Sequence, residues 1–120
     1  MLFDEMRGAR LEDIIKPSYF YLPIGDDYEL LEVEGTIFVF DRGEFRFKDP
    51  IKIIRDNEEM EIDKLIGDSV HIAQFLDYHD ISVAMFVIIF DSDAVLTISW
   101  RGEDYIGVKA IPVEWHPRYR

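Results

Sequence analysis

Hydrophobic residues recur along this chain in two rhythms, one with a period of two and one at helical offsets. The period-two rhythm dominates. After the aromatic stretch Tyr19-Phe20-Tyr21 and the turn signal Pro23-Ile24-Gly25-Asp26-Asp27, it predicts strands over 28–33 and 36–40, parted by Glu34-Gly35. A further strand over 45–48 follows Asp41-Arg42-Gly43-Glu44. A two-residue turn at Arg42-Gly43 sets Phe40 against Phe45 and Phe38 against Phe47, so that four phenylalanines share one side. Ile37, Val39, Arg46 and Lys48 line the other, amphipathic side. The phenylalanine side reads as a core wall rather than a stacking platform for single-stranded nucleic acid, because large exposed apolar patches are rare.

Helical offsets occur twice. Leu11, Ile14 and Ile15 predict a short helix over 9–16, stopped by Pro17. Ile62, Leu65, Ile66, Ser69, Ile72, Ala73 and Leu76 predict a second over 62–76, unless Gly67-Asp68-Ser69 breaks it and leaves 70–76 as a strand. Between them, 51–54 is a short apolar segment after Asp49-Pro50. The run 81–90 is apolar on both faces and predicts a central strand. It returns through Asp91-Ser92-Asp93 into 94–100, and Arg101-Gly102-Glu103-Asp104 turns the chain into a last strand over 105–111. The fold class expected is α+β: a mainly antiparallel sheet, made of a hairpin and a C-terminal meander, packed against one or two helices.

Composition narrows this picture to one domain over 1–120, with a short aromatic and basic tail over 114–120. A hydrophobic fraction of 48%, with nine Phe, six Tyr and two Trp, supplies a core. The chain has no cysteine, so it has no disulfide framework, thiolate nucleophile or Cys-ligated zinc. The acidic start Asp4-Glu5 does not suit a secretory signal, and ten apolar residues at 81–90 are too few for a spanning helix; a cytoplasmic location is the expectation.

Charge changes the picture most. The formal net charge is -12, and it is unevenly placed. Residues 26–34 hold five acids and no base, as do 56–63, and 77–104 hold six acids against Arg101 alone. Tyrosines stand within or beside the first and last of these stretches, but not 56–63. Charge complementarity with tyrosine anchors suits a protein interface, and the residues that compose it are Asp26, Asp27, Tyr28, Glu29 and Glu32 in the first stretch, and Asp77, Tyr78, Asp80, Asp91, Asp93, Glu103 and Asp104 in the last. A net charge of this sign repels a phosphate backbone, so nucleic acid is not an expected partner.

Candidate chemistry is thin. His71 and His79 are eight residues apart and match no close zinc-ligand spacing, and Asp91-Ser92-Asp93 lacks the later ligands of a calcium loop. No serine lies in a glycine-flanked elbow, Ser69 two residues before His71 reads as a cap, and the glycines are scattered singly rather than in a phosphate loop. No catalytic residue, metal or cofactor is assigned. The reading is a non-enzymatic, cytoplasmic binding protein that occludes a basic protein surface, in the manner of immunity proteins, antitoxins and inhibitors that neutralise nuclease-type toxins. Two alternatives stand beside it: a ligand-binding domain or enzyme with a pocket between helix and sheet, and an assembly subunit forming homodimers or larger homo-oligomers.

Overall fold

The computed structural model describes residues 2–24, 29–49, 52–55, 58–59, 61–105 and 112–118. Every strand pairing among them is antiparallel, and the strands divide into two sheets. The first sheet has the order β1 (Leu11–Ile24), β2 (Glu29–Phe40), β3 (Gly43–Lys48) and β9 (Val113–Pro117). The second has the order β5 (Glu58–Glu59), β4 (Lys52–Arg55), β8 (Val95–Arg101), β7 (Val83–Phe90) and β6 (Val70–Tyr78). The expected α+β architecture is therefore overturned in favour of two layers of sheet. The helical pieces among the described residues are single 3-10 turns at Asp4–Met6, Ile62–Leu65, His79–Ile81 and Gly102–Asp104.

The first expected helix is largely a bulged strand, and the second is the 3-10 turn Ile62–Leu65 followed by a bulged strand. In β1, Leu11 pairs with Phe40 and Asp13 with Val39, so Glu12 is an extra residue on the β1 side of the ladder. The extra residue turns Leu11 and Ile14, three apart, toward the same interior, which is the spacing that a helix would also show. Pro17 does not stop a helix; it lies in a second irregularity between Ile15 and Ser18, on an edge strand where a missing N–H is tolerated. In β6 the shift falls between Val70 and Ile72, which leaves His71 bulged outward and brings both Val70 and Ala73 into the core. Ile66 and Ile72, on the supposed helical stripe, are exposed. The alternative in which 67–69 break the helix and a strand follows is the one observed.

The bulged starts of β1 and β6 cross each other. Val70 N–H donates to the Ala9 carbonyl at 2.9 Å and Gly8 N–H to the Val70 carbonyl at 2.8 Å, while Gly67 N–H donates to Leu11 at 2.8 Å. This corner ties one sheet to the other. A second tie stands where β3 leads toward β4: the Trp100 indole donates to the Lys48 carbonyl at 2.8 Å.

Phe38, Phe40, Phe45 and Phe47 are fully buried on one face, as the period-two pattern implies. The register differs by one pair. Asp41 and Arg42 make the turn, so Phe40 faces Gly43 and Phe38 faces Phe45. Gly43 cannot be a turn residue with a side chain, because a Cβ there would meet the His116 carbonyl and come within 2.9 Å of the Trp115 ring on β9. The expected break at Glu34-Gly35 is also absent, since β2 runs through it. Gly35 is needed instead for close approach: a Cβ would collide with the Phe47 carbonyl and sit 2.8 Å from the Phe20 ring. Phe20, Val33 and Ile37 form a small satellite cluster beside that glycine.

The central strand expected over 81–90 is β7, which lies between β6 and β8 and buries every second residue. Residues 106–111 lie outside those described, and with them the strand expected over 105–111. Among the described residues, no helix is long and apolar enough to cross a membrane.

Two substitutions test these backbone assignments. Gly35→Ala should lower the unfolding free energy by about 1–3 kcal/mol in a denaturant titration, because the strand has no room for a methyl group there. Asp93 closes the three-residue β7–β8 turn with φ 71, a left-handed conformation. Asp93→Gly should raise the melting temperature slightly, and Asp93→Val should cost about 1–2 kcal/mol, since a β-branched side chain opposes that conformation.

Candidate interaction surface

The acidic residues gather by strand pairing rather than by sequence distance. Tyr78 pairs with Val83, and Val83 with Arg101, so the end of β6, the start of β7 and the end of β8 share one edge of the second sheet. The 3-10 turns His79–Ile81 and Gly102–Asp104 project from that edge. Asp77, Tyr78, Asp80, Glu103 and Asp104 are all exposed there. Two residues outside the sequence-based set join them. Ile81 is 69% exposed beside Tyr78 at 46%, and Tyr105 donates its hydroxyl to Asp77 Oδ1 at 2.7 Å. The Tyr105 bond spans β7 and holds the two turns together.

The carboxylates of this edge are not equally engaged. Asp104 lies 3.4 Å from Lys48 Nζ, and Asp80 lies 3.1 Å from His79 Nε2 in a fully wetted pair. Exposed pairs of this kind are worth little and leave the charge available to a partner. Tyr105 is half-buried, and its phenol is pushed up to about 12, first by desolvation and then by its hydrogen bond to Asp77 and the charge there. A phenolate facing that carboxylate is disfavoured, so the link between the turns persists through neutral pH.

Asp91 and Asp93 do not belong to this surface. They sit in the turn at the far end of β7, an eight-residue strand, roughly 25 Å away at about 3.3 Å per residue. Their neighbours are Asp68, which accepts from the Ser92 hydroxyl, and His71, whose Nδ1 is 3.8 Å from Asp91 Oδ1. The stretch 77–104, continuous in sequence, is thus split between two ends of one sheet.

The first acidic stretch is at a third place. β3 pairs with β2 only from Gly35 onward, so the part of the β1–β2 hairpin beyond it extends as a two-stranded ribbon. Glu34 is directly opposite Tyr19, and Glu32 opposite Tyr21. These four side chains are exposed on one face, with Tyr19 at 69% and Tyr21 at 58%. The pairing of tyrosine with glutamate was hidden in the sequence, because the partners are eleven or more residues apart and meet only through the register. Asp26, Asp27 and Tyr28 lie outside the described residues; Glu29 opens β2 opposite Ile24.

A cavity of about 510 Å³ opens at the seam between the two sheets. Its apolar lining is Leu2, Phe3, Val113 and Trp115, and its polar lining is Asp4, Glu5 and Glu114. The pocket imagined between a helix and a sheet has no counterpart, since the chain has no such helix among its described residues. Among these residues no group of three or more His, Asp or Glu side chains is placed to hold a metal ion.

The Tyr105 link gives a titration that can be watched directly. An unfolded phenol loses its proton near pH 10, and folded Tyr105 near 12. The stability from this group is therefore whole below pH 10 and is lost as pH rises toward 12. Ultraviolet titration should show a late phenol that Tyr105→Phe removes, and Tyr105→Phe should also lessen the alkaline fall in melting temperature.

In comparison with known proteins, the chain matches no family model, no curated protein and no solved structure.

Proposed function

We propose that this chain is a non-enzymatic binding protein that covers a basic surface of another protein. The observation that carries this reading is the edge formed by the ends of β6 and β8. There Asp77, Asp80, Glu103 and Asp104 share one end of the sheet with the exposed Tyr78 and Ile81. Carboxylates alone would describe a solvated face. The exposed apolar pair beside them supports an interface, offering anchors to desolvate next to charges that orient the encounter.

Occlusion is the mechanism that follows. Lysines and arginines of a partner that would otherwise hold phosphate meet the exposed carboxylates of Asp80, Glu103 and Asp104, whereas Asp77 already accepts the Tyr105 hydroxyl. The ribbon carrying Tyr19, Tyr21, Glu32 and Glu34 offers a second surface of the same chemistry. An immunity-like or antitoxin-like role, with a nuclease-type toxin as the basic partner, is the biological form of this reading. It is supported by the acidity and by the tyrosine-bearing surfaces.

A low-salt pull-down from the native host, followed by association kinetics with the recovered protein, tests it. The partner should be basic, and the association rate should fall steeply with added salt. Asp80→Asn with Glu103→Gln should slow association about tenfold while leaving the melting temperature in place. Association that ignores salt and both substitutions would remove the proposal.

A further inference from the structure

We infer that the cavity at the sheet seam is a binding site for an organic cation with an apolar body, such as an arylalkylammonium or guanidinium compound. The site is separate from the acidic edge of β6 and β8, so it stands or falls independently of the interface proposed there. Its volume of about 510 Å³ lies within the range of pockets that enclose small organic ligands. Its floor is continuous with the core. Phe3 packs edge-on against Phe86 with ring centroids 5.0 Å apart, and Trp115 is tilted on Phe40 at 5.9 Å. Both rings are thereby held by buried partners on β7 and β2, and the walls exist before any ligand arrives.

The polar lining has one sign. Asp4, Glu5 and Glu114 line the cavity, and among the described residues none of its lining is a lysine or arginine. Glu114 stands across the ladder from Arg46, with His116 Nε2 at 3.2 Å, so its carboxylate is on the outer face of β9, opposite Trp115, and the charge of the rim rests on Asp4 and Glu5. Arg46 itself bonds Glu44 at 3.1 Å. Asp4 and Glu5 have no ion-pair partner among the described residues and remain exposed at the opposite wall. An anion is repelled by this rim, and a neutral apolar molecule leaves its charge unused. A cation with an apolar body satisfies both parts, and Trp115 and Phe3 add aromatic rings to which a cation is attracted.

Phenethylammonium is the probe, with phenethyl alcohol as its neutral counterpart. The chain has two tryptophans, and their indole N–H resonances report separately: Trp115 lines the cavity, while Trp100 is buried and bonded to the Lys48 carbonyl. The ammonium compound should shift the Trp115 resonance saturably and leave that of Trp100 in place, and should bind about tenfold more tightly than the alcohol. Added salt should narrow that gap. Asp4→Asn and Glu5→Gln should each weaken the ammonium about two- to fivefold and leave the alcohol unchanged. Equal binding of the two compounds, absence of saturation, or indifference to both substitutions would overturn the assignment. A parallel shift of Trp100 would do the same, because it would report a change in the core rather than occupancy of the seam.

Discussion

The rest of the structure depends on one apolar contact, that between the phenylalanine face of β2 and β3 and the inner face of β7 and β8. Phe45 meets Phe86 with centroids 4.6 Å apart, and Phe38, Phe40 and Phe47 close around it with no exposure. Opposite them, Ile88, Phe90, Leu96, Ile98 and Trp100 are buried to the same degree. Each sheet has a face that water would leave unsatisfied, and each is the cover for the other. Trp100 adds direction to this contact, because its indole must meet the Lys48 carbonyl, and so the β7–β8 hairpin is held against the end of β3.

This contact also decides where charge can go. Alternate positions of the strands are committed to the interior, and a carboxylate among them would be buried without a partner. Acids are therefore kept to the turns, to the part of the β1–β2 hairpin that leaves the sandwich and to strand positions outside the core, such as Glu44 in β3 and Asp77 in β6. Thr36, the buried polar residue among those described, shows the rule from inside: its hydroxyl donates to Asp49 Oδ1 at 2.9 Å, at the exit of β3. The seam cavity follows from the same packing, since two sheets that cover each other's faces leave their margins to be closed by the residues around Asp4–Met6 and by β9. Acidity at the edge stands beside exposed side chains, and acidity at the seam stands beside a hollow.

The two bulges explain most of the distance between the pattern in the sequence and the fold. A regular strand presents every second residue to the core, whereas a bulged strand presents residues three apart, as Leu11 and Ile14 in β1 and Val70 and Ala73 in β6 do. Over one or two turns that spacing is the same as the spacing of a helical face. Local pattern cannot separate the two, and the choice is made by the partner: β1 has β2 to pair with, and β6 has β7. Where no bulge intervenes, as in β3, β7 and β8, the alternation reads directly as burial.

Sequence by itself determined which residues make the core wall, because period-two alternation of Phe38, Phe40, Phe45 and Phe47 puts them on one face whichever of two neighbouring registers the hairpin takes. It also determined that strands follow one another over 81–90 and 94–100, joined at Asp91-Ser92-Asp93. Only the tertiary structure decided that Asp77, Asp80, Glu103 and Asp104 form one surface while Asp91 and Asp93 stand at the other end of the sheet. The same holds for Tyr19 meeting Glu34, and for a cavity lined from both ends of the described chain. The physical reason is common to all three. Strand pairing brings together residues far apart in sequence, and its register is set by the bulges and by the close approaches at Gly35 and Gly43, which involve backbone atoms that no side-chain pattern records.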